Sequence, residues 1–170
     1  MEPKLIEQDE MIIAGMVYYG NPFKETDVAP EQNEVGKLWG RFNRYWDSHQ
    51  EAFKHMVNPK VAWELHIATD EYDETKEYFV MVGVEMSKIE DLTAPIFCKV
   101  LPAGPYAVFT LKGEQMTGNW GTAIYEEWLP SSAYEEAYSC TLERYDEDRF
   151  KGWGDPESEI EIWVPVKAKE

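Results

Sequence analysis

Two glutamates, Glu143 and Glu161, stand in short runs where large aromatic residues take the alternate places: Glu143-Arg144-Tyr145 and Glu161-Ile162-Trp163. A carboxylate beneath aromatic walls is costly to desolvate, so it either holds its proton to higher pH or is stabilised by a bound cation. Each ring face over a cation adds about 0.5–2 kcal/mol, and flat ligands stack on Trp and Tyr. The same carboxylate, poised near neutrality, serves equally as a general acid or base. Residue types alone leave binding and catalysis both open.

The runs belong to a predicted hairpin at the end of the chain, from Cys140 to Lys167, with a turn-rich acidic loop between its strands. Ile160, Ile162, Val164 and Val166 alternate with Glu159, Glu161, Trp163 and Pro165, and Leu142 and Arg144 alternate with Glu143 and Tyr145. Period-two alternation assigns the aliphatic set to a core. The other face is expected to carry Glu143, Tyr145, Glu161 and Trp163 together, a surface suited to something flat, apolar and cationic.

Upstream, Met11–Tyr19 reads as a strand ending at Gly20-Asn21-Pro22, followed by a loop over Lys24–Pro30. From Glu31 to Met56 the apolar residues Val35, Leu38, Trp39, Phe42, Trp46, Phe53 and Met56 recur at helical steps, with Glu31 and Glu34 near the positive end. Strands are expected over Ala62–Ala68 and Glu77–Met86. Phe97–Lys112 reads as one strand bent at Pro102, Gly104 and Pro105, and Gln115–Trp128 as a shorter helix.

The pattern is strand-helix-strand-strand, twice. It predicts an α+β fold in which a single domain, 1–170, contains two pseudo-repeats, about 1–90 and 96–170, joined near Asp91–Pro95. Two antiparallel sheets, each bearing a helix, would flank a central ligand groove. The interval from Trp63 to Gly83 equals that from Glu143 to Trp163, which matches Trp63 with Glu143 and Gly83 with Trp163. Trp63, Leu65 and a gap at Gly83 would then line the groove opposite Glu143, Tyr145 and Trp163. Trp46 and Trp128 are assigned to the core; Trp39 and Trp120 are left between core and groove.

Composition narrows the function classes. With 170 residues, 44% hydrophobic, the chain is long enough for a sizeable core. A net charge of −17 argues against nucleic-acid or anionic-membrane binding and suits cationic ligands or a DNA-mimicking protein. The two cysteines, Cys98 and Cys140, lie in expected strands without paired spacing and are read as buried free thiols. With neither a signal peptide nor a membrane-length apolar run evident, a cytoplasmic protein is expected. His49, His55 and His66 lack metal-ligand spacing, and neither a phosphate-binding loop nor a nucleophile elbow is present, so no metal or cofactor is expected.

Four segments resemble one family. They are Pro102-Ala103-Gly104-Pro105-Tyr106-Ala107-Val108-Phe109, Ile124-Tyr125-Glu126-Glu127-Trp128-Leu129-Pro130-Ser131-Ser132, Leu142-Glu143-Arg144-Tyr145 and Ile160-Glu161-Ile162-Trp163-Val164-Pro165-Val166. In this order and spacing they are similar to GyrI-like small-molecule-binding domains, which also form the effector-binding half of AraC- and MerR-type multidrug-responsive activators. The resemblance covers nearly the whole chain and implies the duplicated fold read above. It implies that Glu143 meets aromatic cations, with Trp163 as the aromatic on the last strand; Tyr145, Trp63 and Tyr106 are expected to complete the walls. Other relatives imply two alternatives. One is a hydrolase opening cyclopropane-bearing electrophiles, with Glu143 and Tyr145 as the candidate catalytic groups. The other is an acidic inhibitor whose protein partner is DNA gyrase. The length leaves no room for a helix-turn-helix domain, so no direct DNA contact is expected.

Overall fold

A computed structural model of the chain describes residues 1–24 and 32–170. Most of the loop expected over Lys24–Pro30, and the helix start expected at Glu31, lie outside the described residues. The strands are β1 (Lys4–Gln8), β2 (Met11–Gly20), β3 (Val61–Ala68), β4 (Tyr78–Met86), β5 (Phe97–Leu101), β6 (Gly104–Lys112), β7 (Tyr134–Glu136), β8 (Cys140–Asp146) and β9 (Glu159–Ala168). The helices are α1 (Glu34–Ser48), α2 (Tyr72–Thr75) and α3 (Leu129–Ser131), the last continuing a π-helix over Thr122–Trp128. The protein is α+β and mostly antiparallel sheet.

The chain forms two compact units: an internal one, residues 11–101, and a terminal one, residues 1–10 with 102–170. The expected repeats, 1–90 and 96–170, are therefore redrawn at both ends. β1, absent from the sequence reading, pairs with β6, placing Ile6 opposite Tyr106. The strand expected over Phe97–Lys112 is two strands. β5 pairs with β2 in the internal unit, and β6 pairs with β9 in the terminal one. Pro102, lacking an N–H, cannot continue the ladder between them.

Within each unit the strand order is the same kind of series. The internal unit runs β5-β2-β4-β3 and the terminal unit β1-β6-β9-β8, with β7 also on β9. In the internal unit α1 begins at Asn33, whose side chain accepts from the Gly36 N–H at 2.9 Å, and Glu34 occupies the first turn. Val35, Leu38 and Phe42 point from it onto Ala14, Val80, Val82, Val84 and Met86. The expected helix to Met56 stops early. The Ser48 hydroxyl donates to the Arg44 carbonyl at 2.9 Å, the His49 N–H donates to the Trp46 carbonyl, and a 3-10 turn over Gln50–Phe53 follows. That break still seats Phe53 on the same core, 5.8 Å edge-on to Phe42.

In the terminal unit the core gathers Ala107, Phe109, Leu111, Ile160, Ile162 and Val164 beneath Met116 and Ile124. Its helix begins later than expected. A 3-10 turn covers Gly113–Met116, and Thr122–Trp128 is wound as a π-helix. Pro130 has no N–H to give back, and the widened turn precedes it.

Gly83 lies opposite Gly15, and a Cβ on Gly83 would fall on the Ala14 carbonyl oxygen and the Gly15 Cα. The gap expected at Gly83 is thus filled by the β2 backbone. Of the two free cysteines, Cys140 is buried as expected, whereas Cys98 is exposed on β5.

Candidate functional site

Thr141, Glu143 and Tyr145 occupy alternate positions of β8 and project to one face. Cross-strand register decides which face. Glu143 stands opposite Ile162, Leu142 opposite Trp163 and Arg144 opposite Glu161. Directly opposed residues share a face. Glu143 and Tyr145 therefore lie with Ile160 and Ile162, on the side covered by Ile124 of the π-helix, and Tyr145 packs against that core. Trp163, Glu161 and Arg144 lie on the reverse face.

This corrects the expected grouping of Glu143, Tyr145, Glu161 and Trp163. Alternation fixes parity within each strand, but one residue of register exchanges the faces of one strand relative to the other. The hairpin loop sets that residue. Arg149 spans the strands' ends, donating from Nε to Glu159 at 2.9 Å and from Nη1 to Glu161 at 2.6 Å. Trp163 Nε1 donates to Glu161 at 3.0 Å, and the Tyr106 ring stands 5.8 Å from the Trp163 ring, on the same reverse face. Tyr106 and Trp163 are both buried, and the Tyr106 hydroxyl shares a 2.6 Å hydrogen bond with that of Tyr138.

Glu143 is 8% exposed, and the Tyr145 hydroxyl donates to its Oε2 at 2.6 Å. A hydrogen bond to a charged group contributes about 1.5–3 kcal/mol and offsets part of the carboxylate's desolvation. On the same side Tyr125 of the π-helix shares a short hydrogen bond with Thr141. Burial pushes the Tyr125 phenol well above its ordinary range, so it stays neutral. Trp120 packs, partly buried, against the core of this side. Beyond Tyr145 the hairpin loop contributes Phe150, 5.1 Å away and edge-on, and Trp153 at 6.3 Å. Neither contact was legible in the sequence, because a loop carries no periodicity.

The internal unit repeats the arrangement with different side chains. Trp63 stands opposite Gly83, while Trp163 stands opposite Leu142. The counterpart of Glu143 is therefore Glu64, not Trp63 as the equal intervals suggested, and the counterpart of Tyr145 is His66. Glu64 is 5% exposed; its Oε1 lies 2.7 Å from His66 Nε2, and its Oε2 accepts from Trp39 Nε1 at 2.5 Å. Trp39 thus has a partner on the helix side of its own unit. Trp63 and Leu65 are buried on the reverse face, opposite Gly83 and Met81. The signal for Glu64 was present, since Trp63-Glu64-Leu65-His66 matches Leu142-Glu143-Arg144-Tyr145 once the glutamates are aligned.

Two antiparallel units of like strand order, each burying one glutamate against a hydrogen-bonding ring two residues on, define a duplicated α+β protein of the GyrI-like type. Residues 4–166 match the family described as Cass2, integron-associated effector binding protein, and the chain belongs to that family. It is 27% identical over 168 residues to the transcriptional regulator BrlR of Pseudomonas aeruginosa, covering 98% of this chain but 56% of that protein. The chain thus spans about half the length of this curated relative. In fold it is similar to a Vibrio cholerae integron cassette protein, with TM-score 0.62, 16% identity, and 98% and 97% of the two chains covered. It is also similar to SAV2435, solved bound to tetraphenylphosphonium, with TM-score 0.70, 17% identity, and 98% and 94% covered. Among the described residues no helix is long and apolar enough to cross a membrane.

Proposed function

We propose that this chain binds hydrophobic aromatic cations, with Glu143 supplying the compensating charge. One observation carries the reading. Glu143 is a carboxylate largely removed from water, its Oε2 accepting from the Tyr145 hydroxyl at 2.6 Å, on the strand face that it shares with Ile162. Such a group gains most from a partner that brings positive charge and little polar surface.

Membership of an effector-binding family, and the tetraphenylphosphonium held by a protein of like fold, support the same chemistry. Tyr145 orients the carboxylate, and Trp120 adds an aromatic surface on the helix side of the terminal unit. In the internal unit Trp39 steadies Glu64, a second buried carboxylate. Trp163, Tyr106 and Trp63 act from the reverse faces of their sheets, holding the strands that carry the glutamates rather than touching ligand. The net charge of −17 attracts cations at long range and falls off with salt.

The test is calorimetric titration with tetraphenylphosphonium and with triphenylphosphine oxide, a neutral compound bearing similar rings. Preference for the cation by tenfold or more is expected. Equal affinity for both would refute the role given to charge. Release of a water-added product from a cyclopropane-bearing electrophile, lost in Glu143→Gln, would instead make the carboxylate catalytic.

A further inference from the structure

The loop joining β8 to β9 is fastened at its base and carries an exposed aromatic ring at its tip. Arg149 ties it to Glu159 and Glu161, and the Lys151 N–H donates to the buried Ser158 hydroxyl at 2.9 Å. At the tip Trp153 is 50% exposed between Gly152 (φ 102°) and Gly154 (φ 89°). Half of the indole surface is left open to a ligand, while the rest packs on the rings beside it. What it stands beside is the site. Trp153 is edge-on to Phe150 at 5.5 Å and to Tyr145 at 6.3 Å, and the Tyr145 hydroxyl is on Glu143.

The internal unit builds the same sequence of rings from unrelated residues. Tyr72, 38% exposed in the β3–β4 connection, is edge-on to Tyr78 at 5.8 Å; Tyr78 is 5.6 Å from His66, and His66 is on Glu64. Both series run from an exposed aromatic ring to a buried carboxylate.

We infer that Trp153 is a specificity-determining residue: it stacks on an aryl group of a ligand whose positive centre is at Glu143, selecting aryl cations over alkyl cations. The inference rests on the cation-binding reading above. One tyrosine ring separates the indole from the carboxylate. A ligand that engages both must therefore carry an aromatic group beside its charge. Alkyl cations satisfy Glu143 but offer the indole no π-face.

The experiment measures dissociation constants for tetraphenylphosphonium and tetrabutylphosphonium with wild type, Trp153→Ala, Trp153→Phe and Glu143→Gln. Stacking and cation–π contributions of this size correspond to a loss of about 3- to 30-fold. Trp153→Ala is expected to lose that factor for the aryl ion and less than about twofold for the alkyl ion. Trp153→Phe should recover most of the loss, and Glu143→Gln should weaken both ions together. Unchanged thermal midpoints would exclude a folding defect in the Trp153 variants. Equal weakening of both ions by Trp153→Ala, or no weakening, overturns the inference while a Glu143→Gln effect keeps the cation reading. Wild type that binds neither ion overturns both.

Discussion

Replacing Glu143 with Gln keeps the shape of the side chain and an acceptor oxygen for the Tyr145 hydroxyl, 2.6 Å away in wild type, while removing the charge. A cationic centre about 5 Å from the carboxylate, at an effective dielectric of about 20, interacts by about 3 kcal/mol. The amide dipole of Gln returns part of this, so the expected loss is about 2–3 kcal/mol, roughly 30- to 150-fold in affinity. Triphenylphosphine oxide, lacking net charge, should change by less than about threefold. Titration calorimetry of both compounds against both proteins, with urea unfolding of each protein, supplies every number. Equal loss for charged and neutral compounds would refute the electrostatic reasoning, since only shape would then be in play. A large loss of stability would show that Glu143 serves the fold.

Further expectations follow from the same contacts. Trp39→Phe removes the indole donor from Glu64 and keeps the ring; it should cost about 1.5–3 kcal/mol of stability by urea titration, and no change would show that the buried carboxylate finds another donor. Gly83→Ala places a methyl on the β2 backbone and should cost about 3 kcal/mol, whereas Gly121→Ala, with open space around it, should cost under about 0.5 kcal/mol. Burial raises the Glu136 carboxyl pKa above its ordinary value, so the folded protein binds that proton more tightly than the unfolded chain. The resulting penalty is absent below the ordinary carboxylate pKa and grows as pH rises through the folded value. Glu136→Gln should therefore stabilise the protein at neutral pH and lose that advantage in acid, which thermal unfolding across pH would measure.

The local pattern was enough to read the main strands, the first helix and the α+β class, because each depends on spacing along one segment. The aliphatic alternation of β9 and the helical stripe of Val35, Leu38 and Phe42 declare their buried faces without reference to the rest of the chain. β1 was missed because Lys4–Gln8 is a short, mostly exposed edge whose partner lies about a hundred residues on, opposite β6. The split of Phe97–Lys112 was marked by Pro102, but no local rule says that its two parts pair in different units. The placing of Trp153 and Phe150 was unreadable, since only folding of the hairpin loop sets them beside Tyr145. The sidedness of the site was the decisive loss. Parity within β8 and β9 is written in the sequence, whereas their relative register comes from a loop clamped by Arg149. That register places Glu143 with Ile162 and sends Trp163 to the other face.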